Sequence, residues 1–378
     1  MELSAEERTV YDRQLRVWGA EAQERLKNAQ VLIIKANQIK KYAWRVRGVR
    51  DELIKNLALA GVGKLSLGLP SSSTANEEKE KKKKKRKRAE NENENEGKYT
   101  RKQKKEEDED EDEDDPSVKR VRMLEGMRDT TQKKHMMVMT GEDRAHDDDD
   151  QEEKEEEEEE EAIAAALRDM NPLVNSSVMH LPSETNVETY THVMKSVQCA
   201  VILDGGEGEQ MVRVVSEAAR SIGASSTDAG RGTCCGSSSS SVGVYVVDVR
   251  GMRGYFASDL GDAHRFREEG EQAKKGEFVV KYPPLEDVMG VEQSSLPKRL
   301  RRTAREEKDW QTHAPSDPAV DAIVGGVLAQ DIVRFISKKG RPIFNFFCFN
   351  GAGWVLPLAM RDGDGEQHRE EEEAAEET

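Results

Sequence analysis

Val31-Leu32-Ile33-Ile34, then Asp51 to Ala60, then Lys64-Leu65-Ser66-Leu67: the reading of this stretch decides the fold. The first run is short, apolar and rich in branched side chains, the pattern of a strand buried on both faces. Asp51 to Ala60 carries Leu53, Ile54, Leu57 and Ala58 at a spacing of three and four, so one helical face is apolar. Gly61-Val62-Gly63 follows that helix and reads as its C-terminal cap, because glycine takes the left-handed conformation that a helix end uses. The last run is a second strand. Strand, helix and strand in this order form a βαβ unit.

The alternation continues on both sides. Ala20 to Asn28 and Ala162 to Met170 read as helices, and Val178 to Leu181 and Cys199 to Asp204 as strands. Gln210 to Ser221 reads as a helix with Met211, Val214, Val215 and Ala218 on one face. Val242 to Val249 and Gly254 to Ala257 read as strands joined by a turn at Arg250 to Arg253. Ala319 to Ile336 is an apolar helix whose Gly325 and Gly326 permit close backbone approach. Ile343 to Phe349 and Gly353 to Pro357 read as a β-hairpin. Strands alternating with helices predict the α/β class: a Rossmann-like domain with a mostly parallel sheet. It spans residues 6–358 discontinuously, because a charged insert interrupts it.

That insert dominates the composition. Of 378 residues, 59 are Lys or Arg and 75 are Asp or Glu, a net charge of −16. Only 35% are hydrophobic and 5% aromatic, below the usual apolar share of about 45–50%. The deficit concentrates between Ser71 and Glu161, with a basic block at Lys79 to Arg88 and acidic runs at Glu106 to Asp115 and Asp147 to Glu161. Like charges in blocks repel and stay solvated, so residues 71–161 are expected to be disordered. Thr227 to Ser241 is expected to be a flexible Ser/Gly loop and Gly363 to Thr378 an acidic disordered tail. No run approaches the roughly 20 apolar residues of a membrane span. The charged start lacks the apolar core of a secretory signal. Four cysteines are too few for a disulfide scaffold, so a reducing compartment, cytosol or nucleus, is the expectation.

Catalytic motifs are scarce. Cys234-Cys235 has no His or second cysteine pair at metal-ligand spacing, and no metal site is expected. Cys199 and Cys348 lie in apolar strands and read as inert core thiols. The seven histidines form no HxxxH or HExxH pattern, and no G-x-S-x-G occurs. A nucleotide site after Val31 to Ile34 needs a glycine-rich turn at a helix N-terminus and a carboxylate ending the next strand. Of the three glycines wanted, Gly48 alone is present, and Leu67-Gly68-Leu69-Pro70 offers no carboxylate. The basic stretches Lys79 to Arg88 and Pro297 to Arg302 suit an import receptor and hence a nuclear location. No aromatic residues interleave with them, so nucleic-acid binding is not expected.

Tyr11-Asp12-Arg13-Gln14-Leu15-Arg16-Val17-Trp18-Gly19, followed by Ala22-Gln23 and Leu26, resembles the N-terminal signature of ubiquitin-like-modifier activating enzymes, a branch of the ThiF/MoeB superfamily. Asp51 to Gly63 resembles the family's first helix and turn, and Leu167-Arg168-Asp169-Met170-Asn171-Pro172 a helix end. Gly251 to Gly261, Lys281 to Asp287, Leu296 to Arg299, Ala322 to Val333 and Asn345-Phe346-Phe347 are similar, in order, to the regulatory-subunit family of the SUMO-activating heterodimers. The segments Ala36 to Gly48, Leu69 to Glu161 and Arg302 to Pro318 depart from that pattern.

The resemblance implies a non-catalytic subunit that pairs with a catalytic subunit. The partner would hold the working site for ATP and Mg2+ and the catalytic cysteine, and would adenylate SUMO before capturing it as a thioester. In this chain the nucleotide loop near Gly48 would be vestigial. Arg13 would reach in trans to ATP phosphates in the partner's site. The competing reading of Arg13 is an ion pair within its own helix. For the chain as a whole, the alternatives are the regulatory subunit for another ubiquitin-like modifier, or a non-enzymatic nuclear scaffold.

Overall fold

Parallel strands at the centre of an eight-stranded sheet organise the computed structural model. It describes residues 3–36, 47–70, 149–182, 184–203, 208–227, 242–268, 276–291, 296, 298–300 and 316–359. The chain divides into two units, Met1–Pro70 with Ile163–Thr378, and Ser71–Ala162.

The first unit opens with helices α1 (Ala5–Val10) and α2 (Asp12–Asn28), then strand β1 (Gln30–Lys35), helix α3 (Arg47–Ala60) and strand β2 (Lys64–Pro70). Helix α4 (Asp149–Met170), which enters the first unit at Ile163, leads into β3 (Asn175–Leu181). Helix α5 (Val187–Met194), β4 (Cys199–Leu203), helix α6 (Glu209–Thr227) and β5 (Gly243–Arg250) follow. Then come β6 (Arg253–Asp259), the short pair β7 (His264–Phe266) and β8 (Phe278–Val280), and helix α7 (Leu285–Met289). A 3-10 turn at Lys298–Leu300 precedes α8 (Pro318–Ser337) and the hairpin β9 (Phe346–Phe349) and β10 (Gly353–Leu356).

Strand order is β10-β9-β6-β5-β4-β1-β2-β3, and β3, β2, β1, β4 and β5 pair in parallel. Val31 stands between Leu65 of β2 and Cys199 of β4. All of β1, β4 and β5 is buried, which is why these strands read as unbroken apolar runs. The expected α/β class with a mostly parallel sheet is therefore the observed one. Strands β6, β9 and β10 extend it antiparallel. One core layer gathers Leu32, Ile34, Ala200 and Ile202 of the sheet against Val215 and Ala218 of α6. Burying each such Leu, Ile or Val contributes about 1.5–3 kcal/mol.

Local chemistry sets the helix boundaries. Ser4 and Glu7 form a reciprocal capping box at α1, and Glu7 also pairs with Lys27 at 2.9 Å. Helix α8 starts where the Asp317 carboxylate accepts from the Ala319 amide at 2.8 Å, with Pro318 at its first position.

Several expectations change. The helix read from Ala20 begins at Asp12 and is kinked at Gly19, whose φ is 84°. Residues 149–161, expected within the disordered insert, are helical and continuous with Ala162 to Met170. Glutamate is a strong helix former, and each like-charge pair a turn apart costs only a few tenths of a kcal/mol, so propensity overrides repulsion there. Residues 71–148 lie outside the described residues. Helix α6 runs on to Thr227, and the rest of the expected Ser/Gly loop, with Cys234 and Cys235, also lies outside them, as does the tail from Gly363. Gly325 does allow close approach, since an added Cβ would lie 3.0 Å from Val49 O and Glu52 Cβ. Gly326 faces open space. Helices α1, α5 and α7 and strands β7 and β8 are too short for a periodic signal. Among the described residues no helix is long and apolar enough to cross a membrane.

Candidate functional site

The last carbonyls of α3 need partners, because a helix ends with four carbonyls lacking internal donors. Each from Leu57 to Ala60 finds one. Val62 N donates to Leu57 O at 3.2 Å, and Gly61 N to Ala58 O at 3.1 Å, with Gly61 at φ 82°. Asn171 Nδ2 also donates to Ala58 O at 2.7 Å. Gln14 Nε2 donates to Leu59 O at 2.9 Å, and Gln23 Nε2 to Ala60 O at 3.0 Å. The expected C-terminal cap at Gly61 is thus present, and two glutamines of the N-terminal motif complete it.

The same motif is bound further. The Tyr11 hydroxyl accepts from Asn171 Nδ2 at 2.9 Å, and burial pushes its pKa up. Trp18 Nε1 donates to Gln23 Oε1 at 3.0 Å. An added Cβ at Gly61 would meet the Tyr11 ring at 2.7 Å, so that ring lies directly on the cap. Tyr11, Gln14, Trp18 and Gln23 all serve to fix α2 on the end of α3.

Arg13 is different. It lies exposed in the first turn of α2, and no hydrogen bond or ion pair joins it to another described residue. The ion pair of this turn is Arg16 with Asp12, at 2.8 Å. The reading of Arg13 as an intrahelical ion-pair residue does not match this arrangement.

The second place where chemistry could sit is the crevice at the C-terminal ends of β1 and β4, where strand order reverses and open α/β sheets take ligands. Gly208 comes so close to this edge that an added Cβ would stand 2.2 Å from Ala36 Cβ. Gly48 lies in the first turn of α3. There its missing side chain makes room for Asp321 of α8: an added Cβ would meet Asp321 Oδ2 at 2.0 Å. Asp321 Oδ2 accepts from Ser316 Oγ at 2.7 Å. Burial raises the Asp321 pKa to about 7; the Ser316 hydrogen bond opposes this, and Asp51, Asp317 and Glu52 add to the rise. At the end of β2, Leu69-Pro70 brings no carboxylate.

Two further buried acids escaped the sequence reading. Asp331 of α8 is wholly buried, accepting from Ile343 N at 2.6 Å and Tyr245 Oη at 3.0 Å. Burial raises its pKa to about 7. Asp259 takes a two-pronged bond from Arg220, at 2.7 and 2.9 Å, which ties β6 to α6. A polar residue inside an apolar helix, as Asp331 is in α8, was the signal for the first of these. Cys199 and Cys348 are buried and not in a disulfide, and burial lifts the Cys199 thiol well above its ordinary value. Such a thiol is a poor nucleophile.

Sheet order and site together define an α/β chain of the Rossmann type with an N-terminal helical clamp. No protein-family model matches the chain. It is similar to SUMO-activating enzyme subunit 1 of Xenopus laevis, 45% identical over 65 residues, which is 17% of this chain and 16% of that one. It is also similar to SUMO-activating enzyme subunit 1B-1 of Arabidopsis thaliana, at 20% identity over an alignment of 414 positions covering 95% of this chain and 98% of the relative. The matches above 40% identity span about a sixth of the length of the curated relatives. The resemblance read from the motifs is thus borne out by relatives of that description. Among solved structures, E. coli MccB with ATP aligns at a TM-score of 0.43 and 12% identity, over 94% of this chain and 73% of that one. The strand order defines the fold.

Proposed function

We propose that this chain is the non-catalytic, regulatory subunit of a SUMO-activating heterodimer. Its partner would be the catalytic subunit, holding ATP, Mg2+ and the catalytic cysteine, and Arg13 would act in trans on phosphates bound there. The observation that carries the reading is the division of labour in the Tyr11 to Gly19 motif. Tyr11, Gln14 and Trp18 hold α2 to the end of α3 and Asp12 pairs with Arg16, while Arg13 is left exposed on a braced helix. A guanidinium held on a rigid element and facing outward suits a phosphate on another subunit: it is permanently charged, planar and bidentate. Stabilising charge on transferring oxygens is the chemistry it would supply.

The geometry around Gly48 supports placing the nucleotide in the partner. The freedom that glycine offers at the start of α3 is taken up by Asp321, with Asp51, Glu52 and Asp317 close enough to raise its pKa. Phosphates approaching the start of α3 would meet that acidic group, which favours a nucleotide held by the partner. Nuclear residence belongs to the same proposal, on the basic stretches Lys79 to Arg88 and Pro297 to Arg302.

The test is co-expression with a candidate catalytic subunit, followed by gel filtration and ATP–pyrophosphate exchange with SUMO or another modifier. The expected result is a stoichiometric complex active with SUMO, and no exchange by the single chain. Exchange by the single chain, or co-purification of histones or nucleic acid in place of a subunit, would overturn the proposal. Activity with another modifier alone would move the chain to that pathway.

A further inference from the structure

In a chain of net charge −16, the C-terminal end of α8 gathers positive charge. Lys338 closes the helix in the left-handed conformation, at φ 56°. Arg25 of α2 reaches across to donate to Ser337 O at 2.7 Å. Arg267, exposed just after β7, pairs with Lys339 in a short parallel bridge, its amide donating to Lys338 O at 3.0 Å. Arg265 stands on β7, and Arg341 follows two residues after Lys339.

A helix C-terminus favours a cation or two, since its carbonyl end carries partial negative charge. This assembly goes beyond that need. Lys338 has its pKa lowered by burial and by Arg25 and Arg265, against one opposing acid, Glu277. Glu21 pairs with Arg25 at 2.7 Å and Glu277 with Arg265 at 3.2 Å. Cations that crowd one another in this way are stabilised by an external polyanion.

The chain brings its own polyanion to the same edge. The helix end lies at the strand-start edge of the sheet, because an added Cβ at Gly243, which opens β5, would meet the Phe335 ring at 2.7 Å. Strand β10 finishes at that edge too: β5, β6, β9 and β10 pair antiparallel in succession, so β10 runs opposite to β5. After β10, Leu358 is held to Asn345 in both directions, Leu358 N to Asn345 Oδ1 at 2.8 Å and Asn345 Nδ2 to Leu358 O at 2.9 Å. Asn345 follows Arg341 closely, so the chain leaves the described body within about 15 Å of that cation, at ~3.8 Å per residue. The tail beyond reads Arg361-Asp362-Gly363-Asp364-Gly365-Glu366, then Glu370 to Glu373, Glu376 and Glu377. Glu370 comes within about 40 Å of contour from Ala359, ample for the gap.

We infer that the basic surface formed by Arg25, Arg265, Arg267, Lys338, Lys339 and Arg341 is a docking site for the chain's own acidic tail, residues 363–378. Tethering places the tail at an effective concentration on the order of millimolar, so weak charge pairing is enough to occupy the surface. An acidic segment of another protein then binds there only by displacing the tail.

The probe is a fluorescein-labelled peptide of residues 363–378, followed by anisotropy against the full chain and against a chain ending at Ala359. The peptide should bind the shortened chain, at least about tenfold more tightly than the full chain, and should weaken steeply as salt rises. Arg267→Glu with Lys339→Glu in the shortened chain should abolish binding. If that pair unfolds the protein by circular dichroism, Arg267→Gln with Lys339→Gln decides, with a several-fold loss expected. Equal affinity for both chains, no binding to the shortened chain, or binding indifferent to these substitutions would overturn the inference.

Discussion

Asn171 Nδ2 donates to the Tyr11 hydroxyl at 2.9 Å and to Ala58 O at 2.7 Å, joining segments 160 and 113 residues away. One side chain thus holds the N-terminal helix, the end of α3 and the start of β3's approach together. Tyr11→Phe removes the acceptor and leaves an amide proton of Asn171 buried without a partner. A loss of about 1–2 kcal/mol is expected, read by urea unfolding. An unchanged midpoint would show that the clamp does not depend on this bond.

Gly48→Ala sets two effects against each other. Alanine favours a helix by about 1 kcal/mol over glycine. Its Cβ would, however, stand 2.0 Å from Asp321 Oδ2, a contact that must be relieved. Overpacking of this kind costs about 1–3 kcal/mol, so net destabilisation is expected. In an Asp321→Ala background the same change should be neutral or stabilising, and a double-mutant cycle measures the coupling. Additive effects would separate the two residues.

Asp321 and Asp331 carry pKa values raised from 3.8 to about 7, in both cases mainly by burial. Between those values the folded chain keeps protons that the unfolded chain has released. The stability from each is complete below pH about 4 and is lost as pH rises through about 7. Asp321→Asn should flatten this decline and leave the protein no less stable at pH 8. Denaturation midpoints at steps from pH 4 to 8 check it, and an unaltered slope would contradict the assignment.

Arg13→Ala in the reconstituted heterodimer should slow adenylation on the order of 10²–10³-fold while gel filtration shows an intact complex. Arg13→Lys should recover only part, lacking the fork. Arg16, already paired with Asp12 at 2.8 Å, is the neighbouring control, and Arg16→Ala should affect the rate less. Wild-type rates for Arg13→Ala would remove the trans role, and loss of the complex would make Arg13 an interface residue.

Removing residues 71–148 should leave unfolding cooperative, because that stretch has little apolar content to bury. The cut belongs before Asp149, where α4 begins. Differential scanning calorimetry of the shortened chain tests this, and a broad or absent transition would show the insert to be structural.

The βαβ unit and the parallel centre were legible in the sequence because strands buried on both faces leave unbroken apolar runs, as Val31 to Ile34 and Cys199 to Leu203 do. The cap at Gly61 was legible too, since only local backbone conformation is at stake. The motif around Arg13 could be read as a resemblance, but the work of its neighbours could not. Gln14 and Gln23 meet carbonyls 45 and 37 residues away, and no periodicity encodes such distances. The seat of Asp321 beside Gly48 was likewise decided by how α8 crosses α3, where a missing side chain on one helix leaves room for a carboxyl on the other. Local pattern determines which segments become strands and helices. Which polar groups meet depends on where the folded sheet brings their carriers, and there the tertiary structure alone decides, because a buried donor must find its acceptor wherever packing has placed it.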